Sequence, residues 1–513
     1  MNKQLALFVL LALLAGASQA QGPLGYAPAQ PDFRPNPNVE FRPTVPPQTV
    51  MGQPDNAAPG DDLAARMARL EAENQRMQAE LQRMREATGR APASGTHAIP
   101  ASMEMADPAP GEAGPPGVTM AQVDAEVKRL MWTKGDFRIV PYGWLWGNAV
   151  ESTQRTNPGS FTLWVLSRTS QPEGEGIVDA RNTRLGLDVL GPRIPLLACA
   201  QSGGKVEIDF QNGSVVGNTE NKGYLLLRHA YLEVKNEDFR LLAGQTWDVI
   251  SPLLPGMIMY SVGWDGGNIG YRRAQFRAER YLALSDVSLV TLQGSINQNV
   301  FTDTFSPNIG GTAYTLRGEP SGWPIVEGRL GWTVGQRTGR DALPITFGVS
   351  GHVGQTEFDL VQANGALFAP FRNSLRNTWS LNADLRIPIT QRFGFQAEFF
   401  TGENLGPFLG AIGQGLDPVT LEGIHSTGGW GEFWYDLTPR LHTHFGYSVD
   451  DPDNAEMHSA SGRTYNQFFF TNLIYDVTRQ FTAGVEVSSW KTLYVNQLPG
   501  ESVRFEFVAR YGF

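Results

Sequence analysis

The feature that most constrains the fold is the end of the chain, where two kinds of side chain alternate. One parity consists of Val503, Phe505, Phe507, Ala509, Tyr511 and Phe513, and the other of Arg504, Glu506, Val508, Arg510 and Gly512. Successive side chains of a strand point to opposite faces, so this pattern is typical of a strand between lipid and water. The dense aromatic residues predict a transmembrane β-barrel strand rather than a strand of a soluble sandwich.

Both ends of the chain predict export to a bacterial outer membrane, with membrane lipid as a partner. Residues 1–20 carry Lys3, an apolar run and a small-residue site ending at Ala20, which indicates a secretory signal peptide. No later apolar run reaches the roughly 18 residues of a membrane helix, and the single Cys199 excludes an intramolecular disulfide. The terminal Phe513 resembles the signal that the barrel-assembly machinery recognises, so we expect this machinery as a further partner.

The composition supports a barrel and argues against nucleic acid as a partner. The chain contains 57 Gly, 28 Phe, 14 Tyr and 12 Trp, as strands with aromatic girdles require, and its net charge is -10. The 41 basic residues are 7 Lys and 34 Arg. Arginine offers a planar fork that suits carboxylate or phosphate, although a GC-rich genome that prefers Arg codons explains this bias equally well.

The segment before the barrel is predicted to contain a coiled coil between two linkers. Residues 21–60 are rich in Pro, Asn and Gln and indicate a disordered linker. Residues 61–87 carry a heptad seam of Leu63, Met67, Leu70, Asn74, Met77, Leu81 and Met84. A polar residue at an a position fixes register and strand number, so this helix is expected to associate with other copies in the periplasm. A solitary amphipathic helix is the alternative. Residues 88–134 are a second linker, with a possible short plug helix at 118–132.

From residue 135 to 513 the pattern has a period of two, and it predicts a sixteen-stranded antiparallel transmembrane barrel, an all-β fold. The predicted strands are 136–147, 183–190, 205–210, 224–234, 239–246, 270–280, 286–295, 326–336, 345–354, 378–387, 393–401, 429–436, 441–448, 466–476, 481–490 and 503–513. The alternation assigns one face to lipid and the other to a wet lumen. Strands 224–234 and 239–246 are apolar on both parities, so their faces stay unassigned.

The connections alternate between short turns and long loops, as they do in outer-membrane barrels. The exception is 191–204, which should be a turn but has about fourteen residues, so we expect hidden strand extensions there. In known sixteen-stranded outer-membrane barrels the third long loop folds into the lumen and narrows it, so 247–269 is expected to do the same and form a constriction. Its candidate residues are Trp247, Asp248, Trp264 and Asp265.

A polar ladder on the sixth strand is the best candidate site. Arg273, Gln275 and Arg277 share one parity, next to the third loop. A row of guanidiniums beside a constriction attracts anions and orients carboxylates. Four further arginines have lumen-facing parity: Arg138, Arg184, Arg329 and Arg386. The alternative is that these arginines only pair with lumen acids, which are Glu327, Glu398, Glu432, Glu486 and Asp384.

No arrangement in the sequence favours an enzyme, a metal site or a cofactor. His442 and His444 share a strand face, but two ligands without a third are a weak metal signal. Ser448 lies about 13 Å from His444 along a strand, which is too far for a hydrogen bond between nucleophile and base. The acidic stretch 450–454 is compatible with a calcium loop or, more simply, with a solvated turn.

Five short motifs together resemble the DcaP-like outer-membrane porins. They are Thr183-Arg184-Leu185-Gly186, Glu207-Ile208-Asp209-Phe210, Leu227-Arg228-His229-Ala230-Tyr231, Gly244-Gln245-Thr246-Trp247 and Arg273-Ala274-Gln275-Phe276-Arg277. The resemblance implies a homotrimer of sixteen-stranded barrels, an N-terminal periplasmic coiled coil and passive uptake of small anionic solutes such as dicarboxylates. Phosphate-selective porins combine the same elements and are the nearest alternative, and a plugged barrel that anchors the envelope is the second.

Overall fold

The computed structural model describes residues 132–168, 173–212, 223–319, 321–337 and 342–513. These residues form a closed antiparallel barrel of sixteen strands, so the predicted fold class is confirmed. The last strand pairs with the first, from Trp144 opposite Gly512 to Ser152 opposite Arg504. Closure leaves no unpaired sheet edge, which is the condition for strands in lipid. The predicted signal peptide, first linker, coiled coil and residues 88–131 lie outside the described residues.

The sixteen strands correspond one to one with the sixteen predicted ranges. They are β1 (Phe137–Ser152), β2 (Glu175–Asp179 and Arg184–Ile194), β3 (Ala200–Asn212), β4 (Tyr224–Lys235), β5 (Phe239–Trp247), β6 (Arg272–Ser285), β7 (Ser288–Asn297), β8 (Ile325–Val334), β9 (Ile345–Val361), β10 (Ser374–Pro388), β11 (Phe393–Glu403), β12 (His425–Thr438), β13 (Leu441–Pro452), β14 (Arg463–Asp476), β15 (Phe481–Tyr494) and β16 (Gly500–Gly512).

Short elements decorate this barrel. The short strands are Trp132–Lys134, Thr156–Pro158, Thr162–Val165, Asn308–Ile309, Thr312–Ala313 and Thr315–Glu319, and the single-turn 3₁₀ helices are Pro195–Leu197, Ala369–Phe371, Gly406–Phe408, Ala411–Gly413 and Asn454–Glu456. The predicted plug helix at 118–132 lies outside the described residues except for Trp132. That residue is extended and pairs with Ile139 of β1, so the prediction is wrong at this position. Within the described part of the chain, no helix has the length and apolarity that crossing a membrane requires.

The long segment 191–204 contains hidden strand extensions, as expected. β2 continues to Ile194 and β3 begins at Ala200, so the turn between them is short. One end of the barrel therefore carries short turns, called the turn end below. The long loops lie at the other end, called the loop end.

The two faces of the strands differ sharply in exposure. On the outer face, Phe276, Leu381 and Phe505 are 73%, 53% and 50% exposed, whereas their inward neighbours Gln275, Asn382 and Arg504 are 4%, 2% and 1% exposed. Because the period is two, this alternation fixes the register of each strand in the barrel wall.

A β-bulge explains why the faces of strand 224–234 could not be assigned. The register shifts between Glu207 opposite His229 and Ile208 opposite Leu227, so Arg228 is the extra residue of β4. Arg228 and His229 are consecutive, yet both are buried, at 4% and 8% exposure. A bulge places two residues opposite one and breaks the alternation of faces.

We predict that a charge on the outer face destabilises the barrel. Val487 lies near the middle of β15 and is 39% exposed on that face. Val487→Arg should lower the free energy of unfolding by about 2–4 kcal/mol, because a cation near the bilayer midplane is poorly solvated. The measurement is denaturant unfolding in phospholipid vesicles, with Val487→Ile as the control. Equal stability of the two variants would contradict the assignment of this face.

Candidate functional site

The third long loop, residues 248–271 and called L3 below, crosses the inside of the barrel. Four buried glutamates of the wall, from β8, β11, β12 and β15, each accept a backbone N–H of this loop. The pairs are Val249 N with Glu327 Oε2 (2.6 Å), Leu253 N with Glu398 Oε1 (2.7 Å), Gly256 N with Glu432 Oε2 (2.7 Å) and Ile258 N with Glu486 Oε2 (2.9 Å). A buried amide without an acceptor is destabilising by about 1–3 kcal/mol, so each of these bonds favours the observed path of L3. These bonds hold L3 along half of the wall.

The rest of L3 continues to other parts of the wall. The Tyr260 hydroxyl donates to Asp209 Oδ2 of β3 at 2.9 Å. In the second half of L3, the Gly266 carbonyl accepts a hydrogen bond from the Ser448 hydroxyl of β13 at 2.6 Å. Gly267 has φ of +131°, and a Cβ there would lie 2.3 Å from Ser448 Oγ and 2.5 Å from the Gly429 carbonyl oxygen. Only glycine fits where L3 touches the wall so closely.

The four predicted constriction residues support L3 from within. Trp247 and Trp264 are in ring contact, with centroids 6.0 Å apart. Asp248 accepts hydrogen bonds from Arg273 Nε at 2.8 Å and from the Tyr271 amide at 2.9 Å.

Asp265 is 1% exposed and has φ of +58°. Its amide donates to the Leu409 carbonyl at 2.9 Å. Burial and the neighbouring Asp450 carboxylate together raise the pKa of Asp265 to about 8. The constriction role of Trp247, Asp248, Trp264 and Asp265 stays a prediction.

The predicted ladder of β6 is buried at the base of L3. Arg273 is 2% exposed in its side chain, donates to Asp248 and to the Pro407 carbonyl at 2.9 Å, and lies 3.9 Å above the ring of Phe408. Arg277 donates to Gln275 Oε1 at 2.8 Å and to the Trp247 carbonyl. The prediction placed both guanidiniums at the surface of the lumen. They are turned instead into a network that ties L3 to the wall, because the loop brings carbonyl and carboxylate acceptors to them.

The other predicted arginines have different surroundings. Arg329 forms a two-pronged pair with Asp384, at 2.9 and 2.7 Å, which matches the alternative of mutual pairing within the wall. The Arg386 guanidinium lies 4.3 Å from the ring centroid of Trp434. Arg138 is half-buried on the inward parity near the turn end.

Arg184 keeps a side chain that is 23% exposed. Its Nε lies 3.5 Å from Glu207 Oε1, and its guanidinium lies 5.1 Å from the ring of Trp144. It is more accessible than three other predicted arginines. The side chains of Arg273, Arg277 and Arg329 are 2%, 8% and 12% exposed.

Two further arginines join Arg184 and were not among the predicted site residues. Arg228 donates to Glu207 at 2.6 Å and to Asp209 at 2.7 Å. Arg272 is 4% exposed, and none of its three guanidinium nitrogens has a hydrogen-bond partner among the described residues. Arg184 is electrostatically coupled to both Arg228 and Arg272. We call Arg184, Arg228 and Arg272 the arginine cluster.

Aromatic rings enclose the guanidinium of Arg272. Trp247 and Tyr271 each lie 4.8 Å from it, and Trp264 lies 5.8 Å away. Such cation–π contacts partly replace lost hydration. Arg272 has the outward parity of β6, so alternation alone would place it in lipid. An arginine at that position, next to a loop, is the sequence signal that could have identified it.

Apolar side chains fill part of the barrel at the loop end. One cluster consists of Phe161, Val165, Met257, Met259, Phe468, Phe470 and Trp490, and a second of Ile250, Ile269, Ile325, Phe400, Leu405, Phe408 and Ala411. Both clusters join L3 to the wall, and the second also includes loop L6 (residues 404–424). The alternation of the strands indicated a wet lumen throughout, and it missed these clusters because the loops supply much of the apolar surface.

The weaker candidates for chemistry have structural partners. His442 lies between Asp436 (2.7 Å) and Asp476 (3.3 Å), and His444 lies 3.4 Å from Glu432. Among the described residues, no group of three or more His, Cys, Asp or Glu side chains is arranged to hold a metal ion. In the acidic stretch, the buried Asp450 accepts from the Ser426 hydroxyl at 2.5 Å.

We predict that each glutamate contact restrains the segment of L3 that it binds. Glu398→Ala leaves the partly buried Leu253 amide without its acceptor, a loss of about 1–3 kcal/mol. Amides near residue 253 should then exchange with deuterium roughly 10- to 100-fold faster, as mass spectrometry of L3 peptides can measure. Glu398→Gln keeps one acceptor oxygen and is the control. Unchanged exchange in the alanine variant would show that this contact does not restrain L3.

Comparison with protein-family models and with curated proteins finds no match. Among solved structures, the chain is similar to the outer membrane channel DcaP of Acinetobacter baumannii, with 19% identity, a TM-score of 0.55 and coverage of 74% of this chain and 97% of that chain. It also matches OprB of Pseudomonas putida (11%, TM-score 0.45, 77% and 96%) and an anion-selective porin from Comamonas acidovorans (9%, TM-score 0.43, 74% and 100%). The predicted resemblance to DcaP-like channels is therefore confirmed at the level of the fold.

Proposed function

We propose that this protein is an outer-membrane porin through which small, hydrophilic, anionic solutes diffuse passively. The observation that carries the proposal is the arginine cluster beside L3. It holds three guanidiniums against the two carboxylates of Glu207 and Asp209. Arg272 has no hydrogen-bond partner among the described residues. A net positive field beside a narrow passage raises the local concentration of anions and their rate of permeation.

The path we propose passes the arginine cluster on the arc of the wall formed by β1 to β4, beside the point where Tyr260 of L3 contacts Asp209. The four wall glutamates bind L3 to the opposite arc of the barrel, from β8 to β15. On the proposed path, Arg184 is the most accessible guanidinium of the cluster, because its side chain is 23% exposed. Arg273 and Arg277 then act as positioning residues that hold L3, and Arg138, Arg329 and Arg386 line the lumen between L3 and the turn end.

The organisation in the membrane is part of the same proposal. The apolar outer face contacts outer-membrane lipid, and three barrels associate as a homotrimer, with the coiled coil of 61–87 in the periplasm. Phe513 is the signal for the barrel-assembly machinery. Its amide and carbonyl bond with Gly143 of β1, at 3.1 and 3.2 Å, so the residue that starts assembly also completes the barrel seam. The fold supports a channel, and we propose no catalytic activity and no bound metal or cofactor.

A specific observation favours a second candidate, the plugged barrel that anchors the envelope. The two apolar clusters at the loop end occupy space that an open channel would leave to water. The phosphate-selective porin remains the other alternative, because guanidiniums bind phosphate as well as carboxylate.

Single-channel recording separates these candidates. We expect the purified protein to insert into a planar bilayer with conductance in triplets and a reversal potential that favours anions. Succinate should then block the current at lower concentration than inorganic phosphate. The opposite order of block would favour the phosphate-selective porin. Silent insertions of a barrel that is shown to be folded by its heat-dependent gel shift would favour the plugged anchor.

We predict that Arg184→Ala weakens anion preference. A unit charge about 6 Å from an ion in water contributes roughly 0.7 kcal/mol, which is favourable for an anion and unfavourable for a cation, so the permeability ratio of anion to cation should fall about tenfold. The measurement is the reversal potential in a salt gradient. Arg280→Ala is the control, because its side chain lies near the turn end and is 51% exposed.

The double variant Arg273→Ala with Arg277→Ala tests the two buried arginines independently of Arg184. We expect it to change conductance through displacement of L3 more than it changes selectivity. An unchanged reversal potential in Arg184→Ala, with a large shift in the double variant, would return the anion contact to Arg273 and Arg277.

A further inference from the structure

Loops L4 (residues 298–324) and L6 meet at the loop end around one buried carboxylate. Asp303 of L4 is 9% exposed and lies between two exposed threonines, Thr302 and Thr304. Its Oδ1 accepts a hydrogen bond from the Gly415 amide of L6 at 3.1 Å. Its Oδ2 is buried and has no hydrogen-bond partner among the described residues. The nearby Arg463 donates through Nε to the Ile412 carbonyl at 2.9 Å, and no described bond joins it to Asp303.

Asn404, at the start of L6, brings a second acceptor to the same place. Its side chain is 1% exposed. Its Nδ2 donates to the Thr356 hydroxyl at 2.8 Å and to the Asn377 carbonyl at 3.1 Å, so these acceptors fix which end of the amide is nitrogen. The Oδ1 atom therefore points away from them. It is also buried without a partner among the described residues.

The two oxygens converge over Gly415. A Cβ at this glycine would lie 2.5 Å from Asn404 Oδ1 and 2.6 Å from Asp303 Oδ2, so the oxygens are at most 5.1 Å apart. Both atoms are acceptors, and neither residue can supply a donor to the other while Asp303 is ionised. A buried acceptor that is left without a partner is destabilising. A positive ligand between the two oxygens would satisfy both.

We propose that Asp303 Oδ2 and Asn404 Oδ1 bind a divalent cation of the calcium type that ties L4 to L6. Carboxylate and amide oxygens are ligands of hard cations, and calcium accepts irregular sets completed by water or backbone carbonyls. Magnesium demands a near-octahedral set and retains its water, so it fits this pair of oxygens less well. The site lies between L4 and L6 and shares no residue with the arginine cluster, and it does not depend on the proposed transport.

The conformation of L6 gives such a cation a role. Five residues other than glycine in this loop have left-handed φ angles: Asn404 (56°), Leu409 (59°), Ala411 (53°), Ile412 (53°) and Leu421 (61°). Such conformations persist only where the surroundings hold them. The proposed cation holds the first of these residues. L6 also packs on L3 through the second apolar cluster, so the cation fixes the arrangement of loops around the lumen.

The test is calcium binding by the full-length protein, purified in detergent and stripped with EDTA. Equilibrium dialysis with radioactive calcium chloride should show one more ion per chain in the wild type than in Asp303→Asn. Glu422→Gln is the matched control, because it removes a carboxylate from the same loop at a position that is 68% exposed. It should bind as the wild type does. Residual lipopolysaccharide contributes equally to all samples.

A second variant keeps the charge of Asp303 and obstructs the site. The methyl group of Gly415→Ala would lie 2.5 and 2.6 Å from the two oxygens and should abolish the same single ion. Equal calcium binding by the wild type, Asp303→Asn and Gly415→Ala would overturn the proposal. In that case a proton on Asp303 that is donated to Asn404 Oδ1 would satisfy both oxygens. The amide group of the Asp303→Asn variant could make the same hydrogen bond.

Discussion

Irregular backbone at membrane depth needs hydrogen-bond partners from within the protein, and the path of L3 depends on this requirement. Side chains of the barrel wall provide acceptors for the N–H groups of L3 and donors for its carbonyl groups. Glu327, Glu398, Glu432 and Glu486 accept the amides of the loop. Asn466, Asn472 and Ser448 donate to its carbonyls, at 2.8, 2.8 and 2.6 Å. A loop without these side chains would leave polar groups unsatisfied inside the barrel, so L3 and the inward face of β8 to β15 form one unit.

Because the wall glutamates bind L3, acidic and basic side chains are distributed unequally around the lumen. The four glutamates that bind L3 are committed to backbone amides, and no described ion pair joins them to an arginine. The arginine cluster lies on the other arc, where Glu207 and Asp209 are its only ion-pair acids among the described residues. The charge asymmetry that supports anion permeation in our proposal is therefore a consequence of how the loop is held.

The sixteen strands and most of their faces could be predicted from the sequence, because the period of two is a local property of each strand. The same rule failed where geometry departs from a regular strand. The bulge at Arg228 turned two consecutive residues inward. Arg272 has the parity of the lipid face, but it lies at the start of β6, where aromatic side chains of L3 and β5 surround it. Neither residue could be placed before the pairing of β3 with β4 and the position of L3 were known.

The sequence by itself determined the barrel, its strand number and the faces of most strands, and analogy with other sixteen-stranded barrels predicted which loop folds inward. Only the tertiary structure decided the partners of the polar side chains. Arg273 and Arg277 were expected to face solute, and the alternative was that lumen arginines pair with acids such as Glu398 and Glu432. L3 supplies other partners to all four, namely Asp248, the Trp247 carbonyl and the amides of Leu253 and Gly256. The physical reason is that alternation fixes the direction of a side chain, whereas its partner depends on chain segments that are distant in sequence.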